Sequence, residues 1–247
     1  KCNLVKLNHL QQCKNHCCLQ ISSPYNRFLE IRAGMQMNDV WEKLNKEAED
    51  VAREETLLLD YLSECVLVHE SFESALSFIL ASKVSDEVMS TDTLRALFFD
   101  IFRSSPPIVV SAVEDMRAAY DRDPAVCTYL SVVLYLKGYQ AIQVHRLANY
   151  LWNNHRQELA LFIQSRNSEV FSVDIHPACK MGCGIMFDHA TGIVIGETTI
   201  IEDNVSILQQ VTLGGTGNEQ GDRHPKIRSG VLISAGAKVL GNIEIGE

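Results

Sequence analysis

Positive charge is in short supply in this chain. Its 22 Lys and Arg face 31 Asp and Glu, for a net charge of -9 and a pI near 5.4. That balance argues against a general nucleic-acid partner or an anionic membrane surface, neither of which attracts an acidic protein. Long apolar runs are missing too. No stretch reaches the ~18 residues of a transmembrane helix, and residues 1–36 lack the apolar core of about 7–15 residues that marks a secretory signal. Cysteine is present eight times, as Cys2, Cys13, Cys17, Cys18, Cys65, Cys127, Cys179 and Cys183, but without the two-pair spacing of a metal site. In a chain this long the pattern does not read as a secreted disulfide framework either. Gly215-Thr216-Gly217 is not a dinucleotide fingerprint, because no strand-to-helix unit follows it.

What remains is an ordinary globular composition, 46% hydrophobic and 21% charged over 247 residues. That is enough for one large domain or two modest ones. Residues 1–36 stand apart, with five basic residues against the single acid Glu30. They read as an N-terminal extension: a transit-like segment, a cloning remnant or an accessory arm. The chain is expected in the cytoplasm, or in an organelle if that segment is a transit peptide.

From residue 37 to about 170 the apolar period is helical. Val40, Leu44, Ala48 and Val51 form one stripe, Phe72, Ala75, Leu76, Ile79 and Leu80 a second, and Leu94, Leu97, Phe98, Ile101 and Phe102 a third that opens on the capping candidates Ser90, Thr91 and Asp92. Pro106-Pro107 restarts the chain before another helix, Asp123-Pro124 opens a turn, and Gly138 precedes a long helix through Leu151.

From about 171 to 247 the period changes to six. Ile175, Met181 and Phe187 are followed by Ile195, Ile201, Ile207 and Leu213, and then by Ile227, Ile233, Val239 and Ile245. A second column, including Val173, Cys179, Ile185, Val205, Val211 and Val231, sits two positions earlier. Cys179 therefore reads as a small buried hydrophobe. A six-residue period marks a parallel β-helix in which three hexapeptides make one triangular coil and column residues stack inward. The register breaks between Phe187 and Ile195, and again between Leu213 and Ile227; each break holds a histidine, His189 or His224. Loops on a rigid scaffold often carry function.

Around those breaks the chain resembles the serine acetyltransferases. The segments are Asp174-Ile175-His176-Pro177, Asp188-His189-Ala190-Thr191-Gly192, Asn204-Val205-Ser206-Ile207-Leu208, Thr212-Leu213-Gly214-Gly215-Thr216-Gly217 and Gly221-Asp222-Arg223-His224-Pro225-Lys226-Ile227. In the helical half they are Asp115, Arg122-Asp123-Pro124-Ala125 and Tyr135-Leu136-Lys137-Gly138-Tyr139. The match covers roughly residues 38–247. It implies a two-domain α+β chain, all-α first and then a left-handed parallel β-helix of hexapeptide repeats. It also implies homotrimers, or a dimer of trimers through the helical domains. The implied reaction moves an acetyl group from acetyl-CoA to the hydroxyl of L-serine, on the route to cysteine.

By the same resemblance His189 is the general base, a role that suits an imidazole with an ordinary pKa of ~6.5, and Asp174 is its orienting partner. Asp115 and Asp188 match positions that bind the serine ammonium, while Arg223 and His224 match positions that contact the carboxylate, where a guanidinium fork fits well. Gly214, Gly215 and Ala235 match positions beside the pantetheine arm, and glycine lets a ligand approach the backbone closely. Read without the resemblance, Asp115 is a solvated helix charge and Asp174 a cap at the coil entry.

No metal is expected. A zinc carbonic anhydrase on the same coil would need three converging histidines, and the candidates His176, His189 and His224 match acetyltransferase motifs instead. An acyltransferase for sugars or antibiotics would share the coil without needing the helical half, and a non-catalytic scaffold is the third reading. Glu247 falls in mid-repeat. The resemblance implies further coils and a tail beyond it, and with that tail binding of O-acetylserine sulfhydrylase.

Overall fold

Apolar stripes at helical spacing become buried helix faces wherever a cap or a proline sets the start. The computed structural model describes residues 24–218 and 220–246, with side chains from Asn38 onward. It divides into two units, residues 1–36 and 37–247. Within the first, the backbone is helical from Pro24; the anticipated extension up to residue 23, with its four cysteines, lies outside the described residues.

The helices are α1 (Pro24–Glu54), α2 (Leu59–Leu62), α3 (Phe72–Val84), α4 (Thr91–Ser104), α5 (Pro106–Arg122), α6 (Tyr129–Tyr135), α7 (Lys137–Asn153) and α8 (Gln157–Phe171). Ser71, Ser90 and Thr128 cap α3, α4 and α6, each accepting from the backbone N–H three residues on, which satisfies a donor the first turn leaves free. Prolines at the first two positions of α5 suit a helix start, where no N–H is needed. They end α4, and the chain bends by 100° between the two helices. Among the described residues no single helix is long and apolar enough to cross a membrane.

Helix α7 is the centre of the helical part, buried on nearly every face. It starts at Lys137, one residue before the boundary expected at Gly138, so this glycine sits inside the first turn. The reason is contact with the coil: a Cβ at Gly138 would lie 2.1 Å from the Phe187 carbonyl oxygen. Helix α8 ends at Phe171, and Ser172, left-handed at φ 58°, turns the chain into the strands.

Eleven short strands follow: β1 (Val173–Ile175), β2 (Lys180–Met181), β3 (Met186–Phe187), β4 (Ile193–Ile195), β5 (Ile200–Ile201), β6 (Ser206–Ile207), β7 (Thr212–Gly214), β8 (Lys226–Ile227), β9 (Leu232–Ile233), β10 (Lys238–Leu240) and β11 (Glu244–Ile245). They form three parallel sheets, β1-β4-β7-β10, β2-β5-β8-β11 and β3-β6-β9. Every third strand stacks, which is the geometry of a three-faced coil.

The register reports the two breaks directly. Ile195 pairs with Leu213 and Ile227 with Ile245, eighteen positions apart in each case. Ile175 pairs with Ile195, Met181 with Ile201 and Phe187 with Ile207, twenty apart, because each turn of the coil passes through the two-residue insertion after Phe187. Ile201 with Ile227, Ile207 with Ile233 and Leu213 with Val239 are twenty-six apart, having absorbed the long loop. The columns therefore stay stacked while the additions are confined to corners. Column residues are buried through Ile233, Met181 excepted, and Cys179 is fully buried, its thiol pushed up to about 12 by desolvation. One apolar core runs from the helices into the coil.

His145, on α7, is 2% exposed, and its Nδ1 has no partner among the described residues. Burial, with Arg146 adjacent, drops its pKa from 6.5 to about 3. Between those values the unfolded chain binds a proton that the folded chain refuses, so stability must fall as pH falls through this window. Unfolding free energies from urea titrations between pH 7 and pH 4 are expected to decline more steeply for the natural chain than for His145→Gln, by a difference on the order of a few kcal/mol at the acid end. Parallel curves would contradict this.

Candidate active site

The break after Phe187 makes a corner that presents His189. Asp188 N–H still bonds to Ile207 in the ladder; the chain then turns left-handed at His189 (φ 54°) and Ala190 (φ 62°). Two successive non-glycine residues in that region carry strain that the surroundings must hold. Several contacts do so. Gly192 N–H donates to Ser172 O at 2.8 Å and Gln210 N–H to Thr191 O at 2.8 Å, the Ala190 methyl is buried, and Lys137 Nζ reaches Thr191 Oγ1. The His189 side chain is 75% exposed, with Nε2 3.8 Å from Asp188 Oδ1. It borders a cavity of about 430 Å³ whose lining includes Asp115, Asp123, Tyr139, Ile142 and Asp188.

Asp115, which the resemblance made a ligand of the ammonium, lines this cavity with its carboxylate already paired to Arg146. It is fully buried, and both its oxygens are engaged. Arg146 donates from Nε and Nη2 to Oδ2 at 2.9 and 2.7 Å, Gln143 Nε2 donates to Oδ2 at 3.0 Å, and the Ile185 N–H donates to Oδ1 at 2.8 Å. Burial pushes its pKa up while these donors pull it back. Besides Asp188, a carboxylate that lines the cavity with capacity to spare is Asp123, at the C-cap of α5. One of its oxygens accepts from Ala125 N–H at 2.9 Å; the other takes no hydrogen bond among the described residues. The sequence reading passed over Asp123 because Asp-Pro is a turn signal.

The second break builds a separate cluster. Arg223 and His224 backbone N–H groups both donate to Thr198 Oγ1, at 3.0 and 3.1 Å. His224 Nδ1 accepts from Thr198 N–H at 3.1 Å, so in the neutral ring the proton sits on Nε2. The ring packs over Gly196 and is 7% exposed. Burial first, then the Arg223 cation, lower its pKa and keep it neutral. Arg223 Nη2 bonds Glu197 Oε2 at 2.7 Å, and the guanidinium holds the Glu197 carboxyl below its ordinary range. His176, edge-on to Trp152 at 5.0 Å, accepts at Nδ1 from Ala178 N–H and is likewise lowered by burial.

Asp174 lies on β1, two residues before His176. Its Oδ1 accepts from Gln164 Nε2 at 2.7 Å, not from His189. One chain therefore groups His189 with Asp188 and Asp123, and Arg223 with His224, without closing the two sets on each other. Gly214 ends β7, where a Cβ would press on Leu240 at 3.0 Å. Gly215 faces Arg223 and His224, and its own neighbours leave room for a side chain. Ala235 is exposed at the corner before β10, the strand paired with β7. Among the described residues no three His, Cys, Asp or Glu side chains converge as a metal cage.

Coil and site together define a hexapeptide-repeat transferase with a histidine at a strained corner, and the comparisons narrow the class. Residues 40–144 match the family model "Serine acetyltransferase, N-terminal". The Haemophilus influenzae serine acetyltransferase is 51% identical over 209 residues, covering 85% of this chain and 78% of that one. A Brucella abortus serine acetyltransferase solved in complex with coenzyme A superposes with a TM-score of 0.84 at 47% identity, covering 86% of this chain and 85% of that one. A soybean serine acetyltransferase solved complexed with serine gives 0.84 at 50% identity, with 85% and 87% covered. The chain belongs to the serine acetyltransferase family.

Gly196 supplies a test of the second cluster. A methyl there would lie 2.0 Å from His224 Cδ2 and 2.1 Å from Nε2. Gly196→Ala is expected to expel the ring from Thr198, lower kcat/KM at least about tenfold, and return the His224 titration, followed by NMR, towards its ordinary value. An unmoved titration would show that the ring is not seated as described.

Proposed function

We propose that this chain transfers the acetyl group of acetyl-CoA to the hydroxyl of L-serine, yielding O-acetylserine and coenzyme A, the product feeding cysteine synthesis. The observation that carries the reading is His189 held on an anchored corner at a cavity edge with the carboxylates Asp188 and Asp123, in a chain about half identical to serine acetyltransferases along most of its length.

Serine's hydroxyl needs a base, and its two charges need partners of opposite sign. His189 accepts the hydroxyl proton as Oγ attacks the thioester carbonyl. The tetrahedral intermediate then collapses, the C–S bond breaks, and His189 returns the proton to the departing sulfur. Asp188 and Asp123 bind the ammonium. Asp115 instead supports the cavity wall from within its ion pair. Arg223 and the His224 Nε2–H bind the carboxylate. Asp174 orients the imidazolium that forms on His189.

The two clusters close on one ligand when a neighbouring copy supplies the second, which a homotrimer of left-handed coils would do, with a dimer of trimers through the helices. Acetyl-CoA would run along the coil past Gly214, Gly215 and Ala235, where Gly215 leaves the backbone bare although its own neighbours do not require it. A C-terminal tail, if the full protein has one, would serve binding of the sulfhydrylase that consumes the product.

Alternative acceptors and three variants test this. Thiol release from acetyl-CoA should be supported by L-serine and by neither L-homoserine nor a galactoside, and His189→Ala should lose at least ~100-fold in kcat; equal rates with galactosides would sink the assignment. Asp123→Asn should raise the KM for serine about tenfold or more with the fold intact. Asp115→Asn should chiefly lower stability, by ~3–5 kcal/mol, because it leaves Arg146 buried without its partner. The reverse pattern would restore Asp115 as the ligand.

A further inference from the structure

We infer that Gln164 is a positioning residue for the acetyl transfer, acting through Asp174; the inference rests on the reading of Asp174 as the carboxylate that orients His189. Its amide nitrogen lies 2.7 Å from Asp174 Oδ1. An ionised carboxylate only accepts, so the NH2 end of the amide must face it. One oxygen of Asp174 is thereby pinned, which fixes the rotation of the carboxylate and leaves Oδ2 to present to an imidazole.

The donor is itself firmly held. Gln164 stands on α8, whose Ala160, Ile163, Asn167 and Phe171 are buried. Asn167 Nδ2 ties the helix to Ala141 O on α7 at 3.3 Å, and Arg166 ties it to the end of α3 through Val84 O and Ser85 O at 2.9 and 3.0 Å. At its C-terminal end the Ser172 turn leads directly into β1, which carries Asp174, and Ser172 O accepts from Gly192 N–H on the far side of the His189 corner. Helix and carboxylate strand are thus linked through consecutive backbone, which fixes the amide relative to Asp174.

The choice of amide over cation has a chemical consequence. A Lys or Arg at 164 would grip Asp174 equally well but would cancel the negative charge needed by the imidazolium. A neutral donor orients the carboxylate and leaves its charge intact.

A double-mutant cycle in the full chain tests the inference. Gln164→Leu is expected to lower kcat about tenfold with the KM for serine and acetyl-CoA within about twofold. It should also shift the acidic limb of the kcat/KM profile to lower pH, since a carboxylate facing His189 raises the base's pKa and a misoriented one raises it less. Asp174→Asn should show both effects more strongly. Gln164→Leu/Asp174→Asn should be no slower than Asp174→Asn alone, because the amide has nothing left to orient.

Multiplied losses in the double variant, or an unmoved pH limb in Gln164→Leu, would overturn the positioning role while leaving the acetyltransferase reading intact. A fully active Asp174→Asn would overturn both this inference and the role of Asp174. Should Gln164→Leu fold poorly, Gln164→Asn, which keeps the amide but draws it back by one methylene, carries the same pH test.

Discussion

The ion pair between Asp115 and Arg146 joins three parts of the molecule at one buried point. Asp115 comes from α5, Arg146 from α7, and the coil contributes the Ile185 N–H to the carboxylate and the Gly182 carbonyl to the guanidinium at 2.6 Å. Desolvating two charges is expensive, and such a pair is weak evidence for net stability. Its geometry nevertheless rejects alternatives: the Gly182–Ile185 turn, α5 and α7 must all arrive in register or a charge is left buried alone. Arg122, at the end of α5, repeats the clamp at the surface, donating to Gly184 O, to the Asn204 side chain and to Ser206 Oγ. These two arginines fasten α7 and α5 to the Gly182–Ile185 turn of the coil.

The coil solves a complementary problem. A strand two or three residues long has little stability alone and depends on strands stacked above and below. Insertions inside a strand would break that stacking, whereas insertions at corners do not. Eight extra residues before β8 and two before β4 leave every column intact. The corners are thus free to carry strained or polar residues, and His189, Arg223 and His224 all sit in them.

The hexapeptide columns, the register breaks and the helical stripes were legible because each rests on a repeating apolar pattern, which burial enforces. The ion pair of Asp115 was not legible because its partner lies thirty-one residues away on another helix, and no period in the chain couples the two. Its charge looked like any solvated helix charge. Asp123 was hidden by its proline neighbour, whose turn chemistry explained the residue without needing a role. Asp174 and His189 were paired by resemblance. In the single chain the carboxylate turns to Gln164, a contact between helix and strand that spacing alone does not announce.

Charge in the two clusters also bears on which acceptor the site suits. Burial keeps His224 and His176 neutral, so each offers a single N–H and neither offers a cation. Positive charge for a carboxylate therefore rests on Arg223. Glu197 takes one of its five donors and Gly221 O another, which aims the fork while leaving N–H groups to bond a ligand. Asp188 and Asp123 supply negative charge beside His189 with no guanidinium bonded to either among the described residues. A neutral sugar would leave both sets of charges without ionic partners. A small zwitterion with carboxylate and ammonium on one carbon and a hydroxyl on the next offers an ionic partner to each set.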